Sequence, residues 1–265
     1  MPTSLEALTS TVTREGDAAT FTITDDWLQG RAAFGGLVAA LGLLTSRHLV
    51  DGSRRLRALQ TTFLRPAVPG PLTFEPSLER DGRNLTQMRA IGFQEGKRVA
   101  TTRAIFGLPL DVEDRLPPPA RPDAPGPETI EPVPFIEGLM PTFVQHFDFR
   151  KVSGGRPFSG SSETESINWL RAKDGQIGVE ALSVMFSDAI APPALALMPG
   201  PAKSSTTAWS VSLLEPKGPV DESGWWMIHA RLNYLRGGYG HHTTTLWTPE
   251  GEVAALSEQT VAVYP

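Results

Sequence analysis

Hydrophobic and polar positions along this chain fall into one order and then repeat it. In the first half, Phe34–His48 (FGGLVAALGLLTSRH) carries Leu37, Leu41 and Leu44 at helical spacing, while Val38, Ala39, Ala40 and Leu43 make the other sides apolar too. Such a pattern predicts a helix enclosed by protein, not one lying on a surface. Two short runs before it, Thr9–Arg14 and Ala19–Thr24, read as strands. Four more strands follow it at Leu56–Arg65, Leu72–Arg80, Leu85–Gln94 and Arg98–Phe106, with Asp81-Gly82 and Glu95-Gly96 as hairpin turns.

The second half repeats this order. Ile167–Ala172 reads as a strand that stops at Asp174-Gly175, and Val179–Ile190 as a helix stopped by Pro192-Pro193. Strands are expected at Ser204–Leu214, Trp225–Tyr234, Gly240–Trp247 and Val253–Val263, with a turn at Glu250-Gly251. In Trp225–Tyr234 the apolar alternates Trp226, Ile228, Ala230, Leu232 and Tyr234 define one buried face. Local detail repeats as well: Phe63-Leu64-Arg65-Pro66 matches Leu213-Leu214-Glu215-Pro216, and Phe93-Gln94-Glu95-Gly96-Lys97 matches Trp247-Thr248-Pro249-Glu250-Gly251-Glu252 with one insertion. A helix without a polar face, followed by an antiparallel meander, is the hotdog arrangement. The chain is therefore expected to be an α+β double hotdog of two fused helix-wrapped antiparallel sheets.

Between the repeats, residues 108–134 hold nine prolines. Proline neither donates to a ladder nor continues a helix, so this is an extended connection. The expected division is an N-terminal hotdog at 1–107, a proline-rich linker at 108–137, and a C-terminal hotdog at 138–265 that carries the chemistry.

Composition narrows the function. Apolar residues make up 40 % of the 265 and charged residues 20 %, ordinary for a globular protein. A net charge of −5 gives no footprint for nucleic acid, and no apolar run reaches the roughly 18 residues that span a bilayer. The chain has no cysteine, which excludes disulfides and a cysteine nucleophile. The start, MPTSLEALTSTVTREGD, lacks the basic and apolar segments of a signal peptide, so a cytoplasmic protein is expected. His241 and His242 are adjacent in a strand and point to opposite faces, so they do not share an ion; no metal and no cofactor are expected. Gly237-Gly238-Tyr239-Gly240 reads as a hairpin turn, and the absence of a G-x-S-x-G elbow argues against a serine esterase.

Several polar residues interrupt apolar patterns. Asp188 continues the stripe of Ala181, Val184 and Met185 on the second helix. It is either a helix-terminal carboxylate open to water or a buried acid with a raised pKa. Gln259 shares a strand face with Val253, Ala255, Val261 and Val263. It is either a core amide bonded to backbone or a group that holds a water. Simple alternation turns Thr206 away from the face of Thr207, Trp209, Val211 and Leu213; a bulge would reverse this, and Thr207 stands as the alternate. Gly35-Gly36 open the first helix, either for tight packing or to bring its free N–H groups against a substrate carbonyl.

The chain resembles the type II acyl-CoA thioesterase family, whose members are double hotdogs. The likeness rests on Arg31-Ala32-Ala33-Phe34-Gly35-Gly36, on Thr62-Phe63-Leu64-Arg65-Pro66, on Ser187-Asp188, on Thr206, and on the run from Gly251 to Gln259. It implies hydrolysis of acyl-CoA by water, with Asp188, Thr206 and Gln259 as the catalytic trio. It also implies substrate contact at Gly35 and Gly36, and a homo-oligomer. Candidates to meet coenzyme A phosphates are Arg31, Arg65, Lys97, Arg98, Arg231 and Arg236. The sequence departs from the family in one place, with Ala208 and Trp209 where the family often carries Asp and His. The alternative reading is a non-catalytic acyl-CoA or lipid-binding hotdog protein. A hotdog dehydratase is a poorer fit, since no histidine lies on the second helix near Asp188.

Overall fold

The computed structural model describes residues 2–264. Twelve strands make one continuous antiparallel sheet. The first six are β1 (Thr13–Glu15), β2 (Ala18–Ile23), β3 (Arg55–Phe63), β4 (Gly70–Asp81), β5 (Leu85–Gln94) and β6 (Lys97–Gly107). The second six are β7 (Phe147–Ser153), β8 (Glu165–Ala172), β9 (Lys203–Leu213), β10 (Trp226–Arg236), β11 (Tyr239–Trp247) and β12 (Val253–Tyr264). Their order across the sheet is β1-β2-β4-β5-β6-β3-β9-β12-β11-β10-β8-β7. Each half therefore uses the same strand order, and the halves meet where β3 pairs with β9, Leu59 opposite Val211 and Thr61 opposite Trp209.

Each half wraps one helix: α2 (Gly35–Arg47) in the first and α3 (Val179–Phe186) in the second, after a short N-terminal α1 (Leu5–Ser10). Phe34, Leu37 and Leu41 retain no exposed surface, and α2 packs on β4, β5, β6 and α3. Burying each such leucine stabilises by about 1.5–3 kcal/mol, so an all-apolar helix is held by its surroundings. This is the double hotdog expected from the sequence.

The repeat extends to irregularities of the ladder. Arg57 in β3, Glu79 in β4 and Val99 in β6 are extra residues that leave the register shifted by one. Thr207 in β9, Asn233 in β10 and Ala254 in β12 do the same. Aligned on these bulges, Leu56 corresponds to Thr206, Leu59 to Trp209, Ala104 to Gln259, and Met88 to His242.

Four local expectations change. The chain at 9–14 is not one strand: Ser4 caps α1 by accepting from the Ala7 N–H, Leu5 and Leu8 bury one side, and β1 starts only at Thr13. Strand β7 was not anticipated, although Phe147 and Phe149 alternate inward. Helix α3 ends at Phe186, four residues early, because Ser187 Oγ donates to the Ser183 carbonyl and the chain turns with the Asp188 N–H on Met185. Tyr234 leaves the buried face at the Asn233 bulge, becomes exposed and stacks on His241.

The proline-rich segment lies against the second half. Trp247 Nε1 donates to the Pro119 carbonyl at 3.1 Å and Trp169 Nε1 to that of Pro125 at 2.9 Å. The Arg121 guanidinium covers the Trp169 ring, and Ala124 and Ile130 pack on the cluster of Trp169, Met227 and Trp247. Proline-rich chain has spare carbonyls, and the indole N–H groups use them.

Candidate functional site

The β9 bulge decides which threonine faces inward. With Thr207 as the extra residue, Thr206 pairs with Val261 and lies on the same face as Trp209 and Gln259. Thr206 Oγ1 donates to Gln259 Oε1 at 2.9 Å, and Gln259 Nε2 donates to Asp188 Oδ1 at 2.8 Å. Thr207 is exposed and bonds the Thr260 carbonyl. Three residues from three separate segments thus form one directed chain of hydrogen bonds. Gln259 is 2 % exposed, and its orientation follows from its partners, a hydroxyl on one side and a carboxylate on the other.

Asp188 sits two residues past the end of α3, not within it. Removal from water raises its pKa from 3.8 to about 6. The Gln259 side chain and the Gly36 N–H, both donating to the carboxylate, pull in the opposite direction and are outweighed. A carboxylate at the N-terminus of α2 also meets the favourable end of that helix dipole.

The two glycines allow this approach. A Cβ on Gly35 would stand 2.7 Å from Asp188 Oδ2, and one on Gly36 would stand 2.7 Å from the Met185 carbonyl. A side chain at either place would push the two halves apart. The pair provides close packing, one of the two readings of it, and the Gly36 N–H is directed at Asp188. Phe63, also from the first half, closes the corner beside Gly35 and stacks on Trp209 at 6.5 Å.

The first half serves as an internal comparison. It has the same bulges and pairings, yet carries Leu56 and Ala104 where the second half carries Thr206 and Gln259. The fold does not require polar groups at these positions. Burying them costs free energy unless they are bonded, which is why they occur here as a connected set.

Family models of an acyl-CoA thioesterase N-terminal domain and C-terminal domain match residues 23–107 and 127–263 respectively. The chain belongs to the acyl-CoA thioesterase family. Solved structures agree on the fold of this family member. A putative thioesterase II from Thermobifida fusca aligns with a TM-score of 0.84 at 18 % identity, covering 100 % of this chain and 99 % of the other. A hot dog fold protein of unknown function from Alicyclobacillus acidocaldarius gives 0.82 at 19 %, covering 97 % and 96 %. An acyl-CoA thioesterase II from Mycobacterium marinum gives 0.76 at 18 %, covering 96 % of each chain. No curated protein matches.

Other expected residues spread over the surface. Arg65 Nη1 donates to the Arg98 carbonyl, so Arg65, Lys97 and Arg98 share one exposed corner, reached through the strand that carries Phe63. Arg31 is exposed two residues before Ala33, which bonds the Ala67 carbonyl on the same side. Arg231 is paired with Glu165 at 2.8 Å, and Arg236 is exposed at the end of β10. Trp209, at a position of family departure, is buried with its Nε1 donating to Ser257 Oγ; Ala208 is exposed. Among the described residues no group of three His, Asp or Glu is placed to hold a metal, and no helix is long and apolar enough to cross a membrane.

From sequence, His242 is weighed only as half of a metal pair. His242 stands directly opposite Gln259 on β11, buried on the same face, while His241 points the other way. A histidine alternating with Thr244 and Leu246 on an inward face was the available signal.

Proposed function

We propose that this protein hydrolyses acyl-CoA to a free fatty acid and coenzyme A by direct attack of water. A single observation carries the reading: an acid with a raised pKa ends a buried hydrogen-bond chain, at a place where the other half of the fold is apolar. Asp188, mostly ionised at neutral pH with a pKa of about 6, takes a proton from the water as its oxygen adds to the thioester carbon. Gln259 holds the carboxylate in position. Thr206, its proton committed to Gln259, keeps lone pairs to accept the water's second O–H. Fixing the water in this way lowers the entropic part of the barrier.

The carbonyl oxygen gains negative charge as the tetrahedral intermediate forms. The first-turn amides of α2 that Asp188 does not engage, Gly35 first among them, are the donors assigned to it. The intermediate then expels the coenzyme A thiolate, and Asp188 returns the proton. Arg65, Lys97 and Arg98 offer the phosphates a basic corner on a chain that is acidic overall.

The test is release of thiol from a panel of acyl-CoA esters, followed by hydrolysis in ¹⁸O-water. A single turnover with excess enzyme should place one label in the acid and none in Asp188. Tight binding without thiol release would favour a carrier, and label in Asp188 would mean that the carboxylate itself attacks.

A further inference from the structure

His242 extends the polar set by one residue. It is 5 % exposed, and its Nδ1 is buried without a hydrogen-bond partner. Its cross-strand partners are Gln259 on one side and Leu232 on the other. Burial, with a smaller push from His241, lowers its pKa to about 4, so the ring is neutral at physiological pH. Leaving a polar atom buried and unmet costs about 1–3 kcal/mol. The equivalent position in the first half holds Met88, also buried. The sheet therefore packs well without a histidine there, and packing does not account for this one.

The neighbourhood indicates what the ring meets. Away from Asp188 across the sheet come Gln259, then His242, then Leu232, which belongs to an apolar group with Ala194, Leu195, Val261 and Val263. Adjacent strands lie about 4.8 Å apart, a few carbon atoms of an acyl chain. An acyl chain following this row has its thioester at Gln259, a hydrogen-bonding group next, and an apolar wall beyond.

We propose that His242 recognises a hydroxyl or keto oxygen carried by the acyl chain near its thioester end, so that the site selects oxygenated over plain acyl-CoA. The proposal rests on the thioesterase reading for the direction of the chain. A neutral ring suits a neutral oxygen, because it can donate from one nitrogen and accept at the other. Sites built to bond a substrate hydroxyl discriminate against analogues that lack it, since their own polar groups are then left unmet.

The experiment uses two coenzyme A thioethers of equal length, which cannot be hydrolysed, one with a hydroxyl on the third carbon and one without. Calorimetry should give wild-type protein at least a tenfold preference for the hydroxylated ligand. In His242→Leu the ratio should fall to near one, and in His242→Gln, which keeps a polar group, part of it should persist. Equal affinities in the wild type, or a ratio that survives in His242→Leu, overturn the proposal. If the leucine variant does not fold, the wild type decides by ¹⁵N NMR. His242 ring shifts that respond to the hydroxylated ligand alone support the assignment, and equal responses to both overturn it. Thiol release is not involved, so failure of the thioesterase reading would show separately, as no turnover of any ester.

Discussion

Replacing Asp188 by Asn removes the charge while keeping the shape, and two opposite consequences follow. Folded Asp188 has a pKa of about 6 against 3.8 when unperturbed. Between those values the folded protein holds a proton that the unfolded chain has released, so stability is fully present below 3.8 and is lost as pH rises through 6. About two units at 1.36 kcal/mol each make this roughly 3 kcal/mol. Asn escapes that cost, but its amide cannot accept from both Gln259 and Gly36, which gives back about 1 kcal/mol. The variant should therefore be more stable than wild type by about 1–2 kcal/mol at pH 8, and should lose that advantage by pH 4.5. Urea unfolding at the two pH values measures it.

Turnover should move the other way. Loss of a general base costs on the order of 10²–10⁴ in kcat. Wild-type kcat should rise about tenfold per pH unit below 6 and level off above it, as the ionised fraction of Asp188 does. A thiol reagent reads this directly, because the protein contributes no cysteine to the signal. A variant that turns over like wild type removes Asp188 from the reaction. A variant with no pH-dependent gain in stability removes the buried charge from the argument.

Thr206→Val deletes the donor to Gln259 Oε1 and should cost about 1–2 kcal/mol in stability. It should also lower kcat at least tenfold with little change in KM; a drop in stability alone would leave Thr206 a purely structural role. Gly36→Ala places a Cβ against the Met185 carbonyl and the Phe34 ring. It should cost about 1–3 kcal/mol, a fall of several degrees in Tm by calorimetry, and an unchanged Tm would show that the helices have room to part. Trp247→Phe loses the bond to the Pro119 carbonyl. Limited proteolysis should then cut within residues 108–126 faster than in wild type while thiol release persists, and equal cleavage rates would mean that the strap is held elsewhere.

Much of the fold is legible because its signals are strong and local. An apolar run such as Phe34–His48 has few stable settings other than the inside of a curved sheet, and Asp-Gly or Glu-Gly pairs between alternating runs leave little doubt about hairpins. The failures also have local causes. Leu5–Ser10 is too short for periodicity to reveal, and its helix depends on the Ser4 cap and on burial of Leu5 and Leu8. At Thr206 alternation gives the wrong face, because one extra residue reverses the side chains beyond it and no residue type marks the bulge. Asp188 was found as an interruption of a stripe, yet it lies past the helix end, where Ser187 turns the chain back onto Ser183. That Gly36 engages Asp188 depends on how the halves meet, a long-range fact that no window of sequence holds.

Duplication also supplies a counterpart to the proposed catalytic corner. At the counterpart corner, between the C-terminus of α2 and the N-terminus of α3, the Leu56 N–H donates to Glu180 Oε1 at 2.7 Å, and Glu180 lies 3.9 Å from Arg47. The acid there is compensated by a cation and a backbone donor. A cavity of about 250 Å³ remains beside it, bordered by Leu56, Val179 and Leu213. Val179, not glycine, opens α3, so its backbone cannot come as close to a facing side chain as Gly35 does to Asp188. A water held at that corner would find no Thr–Gln pair, only Leu56 and Ala104. Installing Thr and Gln at those two positions should therefore bury two polar groups and create no second site. The proposed activity depends on an acid without a cation partner, a glycine-opened helix and an amide relay, and among the described residues these three meet on one side only.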